Sequence, residues 1–295
     1  MSLVLTVPTP LQYFAALVAD DVQLPLLEAA ACLAQDEHLE LDVQQVLGEV
    51  DQLMARLHRR AAGVNGVMDR LQVLNQYFFT ELGFAGNVND YYHPDNSYLH
   101  RVLHTRCGIP ISLAVLWLEM AQSLSLQAEG VGFPGHFLVQ VRVDKGEGGG
   151  GWVVIDPFTG QSLGRSDLRA RVDELHPRLK PVVDGADTDV DADALLRLFL
   201  QPASPRQMLA RMLRNLQDIH RTSAHWPRLV AVQDRLIVLL PDAWAEYRER
   251  GLALARLGMS GMAKADLALY LREAGDAPDR QAISRVLAEL GRAGG

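Results

Sequence analysis

The sequence predicts an α+β protein that is mostly helical, with one small antiparallel sheet near the middle of the chain. Apolar residues recur at helical spacing over most of the 295 residues. Two short segments, His136–Val143 and Trp152–Asp156, are rich in β-branched residues instead, and the first alternates from residue to residue. A glycine-rich stretch joins them, which is typical of a hairpin. The length suits one large domain or two ordinary ones.

The composition excludes several classes of function. Hydrophobic residues make up 48% of the chain and charged residues 22%, which is typical of an ordered globular protein. The formal net charge is −8 and no Lys/Arg cluster is present, so we expect no nucleic-acid partner. Cys32 and Cys107 are too few for a disulfide framework or a Cys-based zinc site. We expect no cofactor and no bound metal.

The first residues of the chain and its hydropathy indicate where the protein is located. The first residues contain no basic segment followed by a cleavable apolar core, so they do not resemble a signal peptide. No apolar run approaches the roughly 18 residues that a membrane span needs. We therefore expect a cytoplasmic protein without a membrane partner.

Four regions follow one another along the chain. Residues 1–80 have helical periodicity, and we expect them to form a helical region packed on the core. Residues 81–176 contain the predicted sheet and form the core. Residues 177–194 are rich in Pro, Asp and Gly and form an acidic linker, and residues 195–295 are helical again.

The core region opens with a loop and a buried helix. Residues 83–98 interrupt the helical pattern with Gly, Asn, Asp and Pro, and four aromatic residues anchor them. Such a loop on a rigid scaffold often lines a site. Ile109–Leu124 is apolar on nearly all sides, which predicts a central helix, and Pro110 suits its first turn.

The hairpin places two polar residues together. If the chain folds symmetrically about Gly146, His136 and Asp156 face each other across the two strands, with Cβ atoms about 5 Å apart. A glycine-rich turn specifies the register only loosely, so this pairing is permitted rather than required. The glycines also spell G-x-G-x-x-G, but a strand and not a helix follows them, which argues against a dinucleotide site.

The last region has the spacing of a tetratricopeptide repeat. In this pattern large and small residues interlock two antiparallel helices. The matching positions are Tyr247, Gly251, Leu254, Ala263 and Leu267. The preceding helices, Met208–His220 and Leu229–Leu240, resemble a degenerate copy. Repeats of this kind offer extended binding surfaces, so we expect a protein or peptide partner, bound by the repeats or by the cleft of the core.

Residues 75–160 resemble the bacterial SirB-type family. The likeness is carried by NQYFFTELGFAGNVNDYYHPDNSYLHRVLHTRCGIPISLAVLWLEMA, GVGFPGHFLVQV and VVIDPFTG, and it extends into the repeats. Proteins of this family join a transglutaminase-like domain to tetratricopeptide-like repeats. The resemblance therefore implies a transglutaminase-like (papain-like) core followed by a helical-repeat domain.

The same resemblance implies a site that has lost its nucleophile. In catalytic members of the wider superfamily a Cys begins the central helix, and a His and an Asp follow on two strands. His136 and Asp156 match the His and the Asp. The Cys position falls on Pro110, which carries no nucleophilic group.

Two neighbouring residues offer alternatives to the missing Cys. Cys107 lies three positions earlier, and Ser112 lies two positions later in the first turn of the helix. Each also has a structural interpretation, because a free Cys is usually a small buried hydrophobe and Ser112 suits a capping role. Further residues are expected to line the cleft because they lie near the helix start in sequence: Asn96, Ser97, Tyr98, Arg106 and Pro110.

We therefore carry two hypotheses. The leading one is a non-catalytic, vestigial transglutaminase-like protein that acts in protein or peptide binding and in regulation. The alternative is a thiol protease or acyltransferase-type enzyme that uses Cys107 or Ser112 with His136 and Asp156. A metal site formed by His104, His136 and Asp156 lacks the close ligand spacing of known sites.

Overall fold

The computed structural model describes residues 7–144, 150–179 and 192–293. The helices are α1 Pro10–Leu17, α2 Leu26–Ala31, α3 Val43–Arg60, α4 Val67–Asn75, α5 Leu99–Thr105, α6 Pro110–Ser123, α7 Arg165–Leu179, α8 Ala192–Phe199, α9 Pro205–Thr222, α10 Trp226–Leu239, α11 Trp244–Arg256, α12 Ser260–Glu273 and α13 Arg280–Ala293. The strands are β1 Ala85–Gly86, β2 Cys107–Gly108, β3 Ala128–Val131, β4 Leu138–Asp144, β5 Gly150–Ile155, β6 Ser162–Leu163 and β7 Pro202–Ala203. The protein is mostly helical with a small antiparallel sheet, as the sequence predicts.

The described chain divides into two compact units. One contains the residues up to Leu41 together with those from Leu209 onward, and the other runs from Asp42 to Met208. This division differs from the boundaries at residues 80 and 195 that the sequence suggests. Most of the predicted acidic linker lies outside the described residues, as does most of the predicted hairpin tip. None of the helices in the described part of the chain is long and apolar enough to cross a membrane.

The N-terminal helices belong to the same unit as the repeats. Thr9 begins α1 with a capping box, because its hydroxyl accepts from the Gln12 N–H and the Gln12 side chain accepts from the Thr9 N–H. Phe14 is fully buried beneath the guanidinium of Arg235 on α10. Arg235 also donates from Nη2 to Asp36 Oδ1 at 2.9 Å. These contacts group α1 and α2 with the repeats, whereas α3 and α4 belong to the other unit.

The repeat helices pack as the sequence pattern predicts. Gly251 on α11 lies against α12, and a Cβ atom there would be 2.8 Å from the Leu267 side chain. A small residue is therefore needed for these two helices to approach closely. Leu267, Tyr270 and Ile283 form the buried core of the last three helices.

The other unit is built around α6 and a sheet with strand order β6-β5-β4-β3-β7, in which all neighbours are antiparallel. Helices cover both faces of this sheet. Leu138 and Val154 lie on one face in a cluster with apolar residues of α7 and α8. Val139 and Val141 are buried on the opposite face, and α6 packs against β3 and β4. Because α6 also contacts α3, α4 and α5, it is apolar nearly all round.

The hairpin register differs from the symmetric fold about Gly146. Val139 pairs with Ile155, whereas symmetry about Gly146 would pair it with Val153. His136 and Asp156 are therefore not directly opposite each other in the register, which the sequence left open. The shift is two residues, which is one period of a strand, so both side chains remain on the same face of the sheet.

Candidate functional site

His136 lies in a tight turn just before β4. The turn runs from Phe133 through Pro134 and Gly135, and the His136 N–H donates to the Phe133 carbonyl at 3.0 Å. Gly135 has a φ of 71°, in the region that favours glycine. Proline followed by glycine with positive φ is typical of a type II turn. The side chain of His136 is 20% exposed, so the turn presents the imidazole partly to solvent.

Asp156 follows β5, and its carboxylate is the polar centre of the site. Oδ1 accepts from His136 Nε2 at 2.8 Å and from the Phe158 N–H at 2.9 Å. Oδ2 accepts from Arg171 Nη2 at 3.0 Å. The side chain is only 2% exposed, so this carboxylate is desolvated and held by three donors.

These contacts set the charge of Asp156. Burial is the largest influence and acts to raise the pKa of its carboxyl group. His136, the Phe158 N–H and Arg171 outweigh burial together, so the pKa of Asp156 is lower than usual. The group is thus a carboxylate at neutral pH.

Aromatic rings continue from His136 along the neighbouring loop. The ring centroid of Phe158 lies 6.3 Å from that of His136, and Tyr91 lies 5.9 Å from Phe158. Tyr92 lies 5.1 Å from Tyr91 and is 78% exposed. Gly86 is needed beneath this row, because a Cβ atom there would be 2.2 Å from the Phe158 ring. We call Tyr92, Tyr91, Phe158 and His136 the aromatic row.

The polar side chain at the start of α6 is bonded to backbone groups. Pro110 is the first helical residue and is buried. Ser112 is fully buried, and its hydroxyl donates to the Asn96 carbonyl at 2.6 Å while accepting from the Ile109 N–H at 3.1 Å. The hydroxyl therefore caps the helix and joins it to the preceding loop.

The two cysteines lie in different environments. Cys107 is half-buried on β2, where it pairs with Ala85 on the parallel strand β1. In the part of the chain that the structure describes, no hydrogen bond joins its sulfur to His136. Cys32 is fully buried, and burial raises the pKa of its thiol to about 12. Cys32 is therefore unreactive in the folded chain.

The remaining sequence candidates organise the loop or lie elsewhere. Asn96 is buried, and its side chain bonds to Asn87 and to the carbonyls of Asp90 and Tyr91. Ser97 and Tyr98 are buried with it. Arg106 stacks on Phe84 and lines a small cavity beside α3. Among the described residues, no three His, Cys, Asp or Glu side chains form a metal-binding cluster, so His104 is not brought to His136 and Asp156.

Sequence reasoning missed Arg171. The helical spacing of the sequence gave a weak indication of its position. Arg171 lies three residues after Leu168 and one before Val172, and both of these residues are buried against the sheet. Asp156 shares a strand face with Val154, which lies in the same cluster. A polar residue on that helix stripe thus faces the polar residue at the end of the strand.

A family model described as the transglutaminase-like superfamily matches residues 44–214, which is more than half of the chain. The chain belongs to this superfamily. A tetratricopeptide repeat model matches residues 216–288. This order of domains confirms the likeness to the SirB-type family that the sequence indicates.

Bacterial relatives match nearly the whole length. A UPF0162 protein of Xylella fastidiosa is 37% identical over 86% of this chain and 85% of its own. A UPF0162 protein of Pseudomonas aeruginosa is 30% identical over 90% of each chain. Protein SirB1 of Salmonella typhimurium is 24% identical over 88% of this chain and 90% of its own. No solved structure matches the chain significantly.

Proposed function

We propose that the transglutaminase-like domain of this chain is non-catalytic and that the protein acts by binding a protein or peptide, in a regulatory role. The observation that carries this proposal is Pro110 at the first position of α6, where catalytic relatives of the resembled superfamily carry Cys. Proline has no side-chain nucleophile and no N–H to offer an oxyanion.

The two alternative nucleophiles do not favour catalysis. The Ser112 hydroxyl is buried and already bonded to Asn96 and Ile109. A Ser nucleophile needs a neighbouring base, and neither of these backbone partners is one. Cys107 lies on β2, and among the described residues no hydrogen bond joins its sulfur to His136, so the described chain lacks the Cys–His pair of a thiol enzyme.

The residues that lie beside β4 and β5, the strand side of the candidate site, support a binding role. Asp156 fixes the imidazole of His136 at the surface, and the aromatic row extends from it to the exposed Tyr92. Aromatic residues are enriched in protein interfaces because they bury a large area at a small entropic cost. Helical repeats likewise commonly provide surfaces for protein partners.

Thiol labelling tests the absence of catalysis. The folded protein is treated with a limiting alkylating probe at neutral pH, and the peptides that contain Cys107 and Cys32 are quantified by mass spectrometry. We expect Cys107 to react no faster than a free thiol such as glutathione, and equally in the His136→Ala variant. Cys32 serves as the buried control. Fast labelling of Cys107 that is lost in His136→Ala would support the thiol enzyme instead.

Matched surface variants test the binding role. Tyr92→Ala and Trp152→Ala each remove an exposed aromatic ring, but only Tyr92 belongs to the aromatic row. We expect a polypeptide recovered with the tagged wild-type protein from cells to be lost with Tyr92→Ala and kept with Trp152→Ala. Equal recovery with both variants would exclude the aromatic row as the binding surface.

A further inference from the structure

A small cavity beside α3 has more positive than negative charge in its lining. Its volume is about 120 Å³, and its lining residues are Glu49, Gln52, Leu53, Arg56, Leu103 and Arg106. The helix α3 supplies the first four of these residues, and the chain around the end of α5 supplies the other two. His136 and Asp156 are not part of the lining, so this cavity is distinct from the candidate site described above.

Arg106 is held in an unusual backbone conformation. It follows the last residue of α5 with a φ of 60°, in the left-handed region. Glycine is the usual residue at this position after a helix, because it carries no Cβ penalty there. The chain retains a long cationic side chain despite that cost, and strain of this kind is often associated with function.

The guanidinium of Arg106 is incompletely bonded. Its Nη1 atom is buried and has no hydrogen-bond partner among the residues that the structure describes. The group lies over the Phe84 ring, with Cζ 4.7 Å from the ring centroid. Burial, the largest influence, lowers the pKa of Arg106, and the charge of Arg56 acts in the same direction. No salt bridge of Arg106 occurs among the described residues, so a carboxylate in the cavity would give its guanidinium an anionic partner.

Arg56 brings a second cation to the same cavity. Its side chain is exposed, and no salt bridge or side-chain hydrogen bond from it occurs within residues 7–144, 150–179 and 192–293. Glu49 is the one acidic residue of the lining. Two guanidinium groups and one carboxylate leave a net charge of one positive unit, in a chain whose formal charge is −8.

We propose that this cavity is a binding site for a carboxylate group, held by the guanidinium groups of Arg106 and Arg56. A single negative charge neutralises the cavity. A phosphate group carries about −1.5 to −2 charges at neutral pH, which is more than the lining needs. The Glu49 carboxylate would repel this extra negative charge. A carboxylate also matches the planar fork of a guanidinium. The carboxylate belongs either to a small acid or to the C-terminus of a peptide.

The test is a titration followed by the side-chain Nε–Hε signals of arginine in a nuclear magnetic resonance spectrum of the full chain. The probes are sodium acetate, acetyl-dialanine with a free C-terminus, acetyl-dialanine amide and sodium phosphate, each at an ionic strength fixed with chloride. We expect the Arg106 signal to shift and saturate with both carboxylates. The amide should cause no saturating shift, and phosphate should bind more weakly than acetate.

The titration also separates the two sources of the carboxylate. Tighter binding of acetyl-dialanine than of acetate indicates a peptide terminus, and equal affinities indicate a small acid. If no probe saturates, or if phosphate binds more tightly than acetate, the proposal is overturned.

Variants on α3 provide the control. Arg56→Gln should weaken acetate binding about tenfold, because a charge-assisted hydrogen bond is lost. Arg59→Gln removes an exposed arginine of the same helix that does not line the cavity, and it should leave the affinity unchanged. Glu49→Gln should strengthen phosphate binding. Arg106→Gln is less decisive, because loss of the stacking on Phe84 also affects folding. Equal weakening by Arg56→Gln and Arg59→Gln would show a nonspecific charge effect and contradict the site.

Discussion

The strand side and the helix side of the candidate site use their polar groups in opposite ways. On the strand side, the buried carboxylate of Asp156 collects three donors and holds His136 at the surface. On the helix side, Pro110 contributes no polar side chain, and the hydroxyl of Ser112 is turned inward to the backbone. The strand side thus orients a group toward solvent, whereas the helix side only secures its own helix.

This difference shows that the contacts on the strand side do not depend on the residue at the start of α6. Asp156 serves both sheet and helix, because its partners come from the turn before β4, its own turn and α7. The Pro110 residue at the helix start does not affect any of these partners. A fully satisfied hydrogen-bonded network of this kind specifies local structure, whether or not chemistry occurs beside it.

The largest predicted effect is on the strand side. Asp156→Ala leaves the Phe158 N–H, His136 and Arg171 without their shared acceptor. Since the site is buried, we expect the free energy of unfolding to fall by about 3 kcal/mol. Native-state hydrogen exchange of the α6 amides measures this value for the core unit alone. Asp173→Ala, which removes an exposed carboxylate of α7, should change it by less than about 0.5 kcal/mol. Equal effects of both variants would show that the network contributes no stability.

A second effect concerns the floor of the aromatic row. Gly86→Ala places a Cβ atom 2.2 Å from the Phe158 ring, so the ring must move. We expect a loss of about 2 kcal/mol, which is typical of overpacking, together with a shift of the His136 ring signals in the magnetic resonance spectrum. Gly132→Ala is the control, because a Cβ atom there meets no atom within 4 Å. Unchanged His136 signals in Gly86→Ala would show that the position of the Phe158 ring does not affect His136.

The helix side should be less sensitive. Ser112→Ala removes one hydrogen bond each from the Ile109 N–H and the Asn96 carbonyl. We expect the free energy of unfolding, measured by hydrogen exchange of the α6 amides, to fall by about 1–2 kcal/mol. Ser123 bonds to the Met120 carbonyl at the other end of the same helix and is partly exposed. Ser123→Ala should therefore cost less. A cost for Ser112→Ala as large as that for Asp156→Ala would remove the contrast between the two sides.

Local pattern predicted much of this fold. The apolar run of α6, the Pro110 start and the alternation of β4 each follow from spacing and from residue type, and the sheet and repeats follow from them. The approach of His136 to Asp156 follows from the spacing of two strands joined by a short turn. The register of the hairpin could not be predicted, because a glycine-rich turn permits several pairings of the two strands. A shift of two residues leaves every side chain on the same face of the sheet.

Long-range contacts were beyond the sequence pattern. Arg235 pairs with Asp36 across 199 residues, and both lie in the compact unit that contains α1, α2 and the repeats. An amphipathic helix specifies that one face is buried, but it does not specify the partner. The same limit applies to Arg171. Its position on the buried stripe of α7 could be read from the sequence, whereas its contact with Asp156 required the packing of α7 on the sheet.

The smallest predicted effect depends on pH. Arg171→Gln removes one of the influences that lower the pKa of Asp156, so the pKa of this carboxyl group rises in the folded variant. Asp156 has a pKa near 3.8 when unfolded, and a lower folded pKa adds stability that is fully present above that value. The variant should be less stable at pH 7 by about 1 kcal/mol or less, because the Arg171 side chain is one-third exposed.

This stability difference should shrink as the pH falls below about 4, since protonated Asp156 no longer attracts Arg171. The measurement is hydrogen exchange or thermal unfolding of both proteins between pH 7 and pH 3. Arg59→Gln removes the same charge from an exposed position and corrects for the change in net charge. A difference that persists unchanged at pH 3 would mean that Arg171 stabilises the domain through packing of its aliphatic stem rather than through Asp156. The strand side would then depend on His136 and the Phe158 N–H alone to hold its carboxylate.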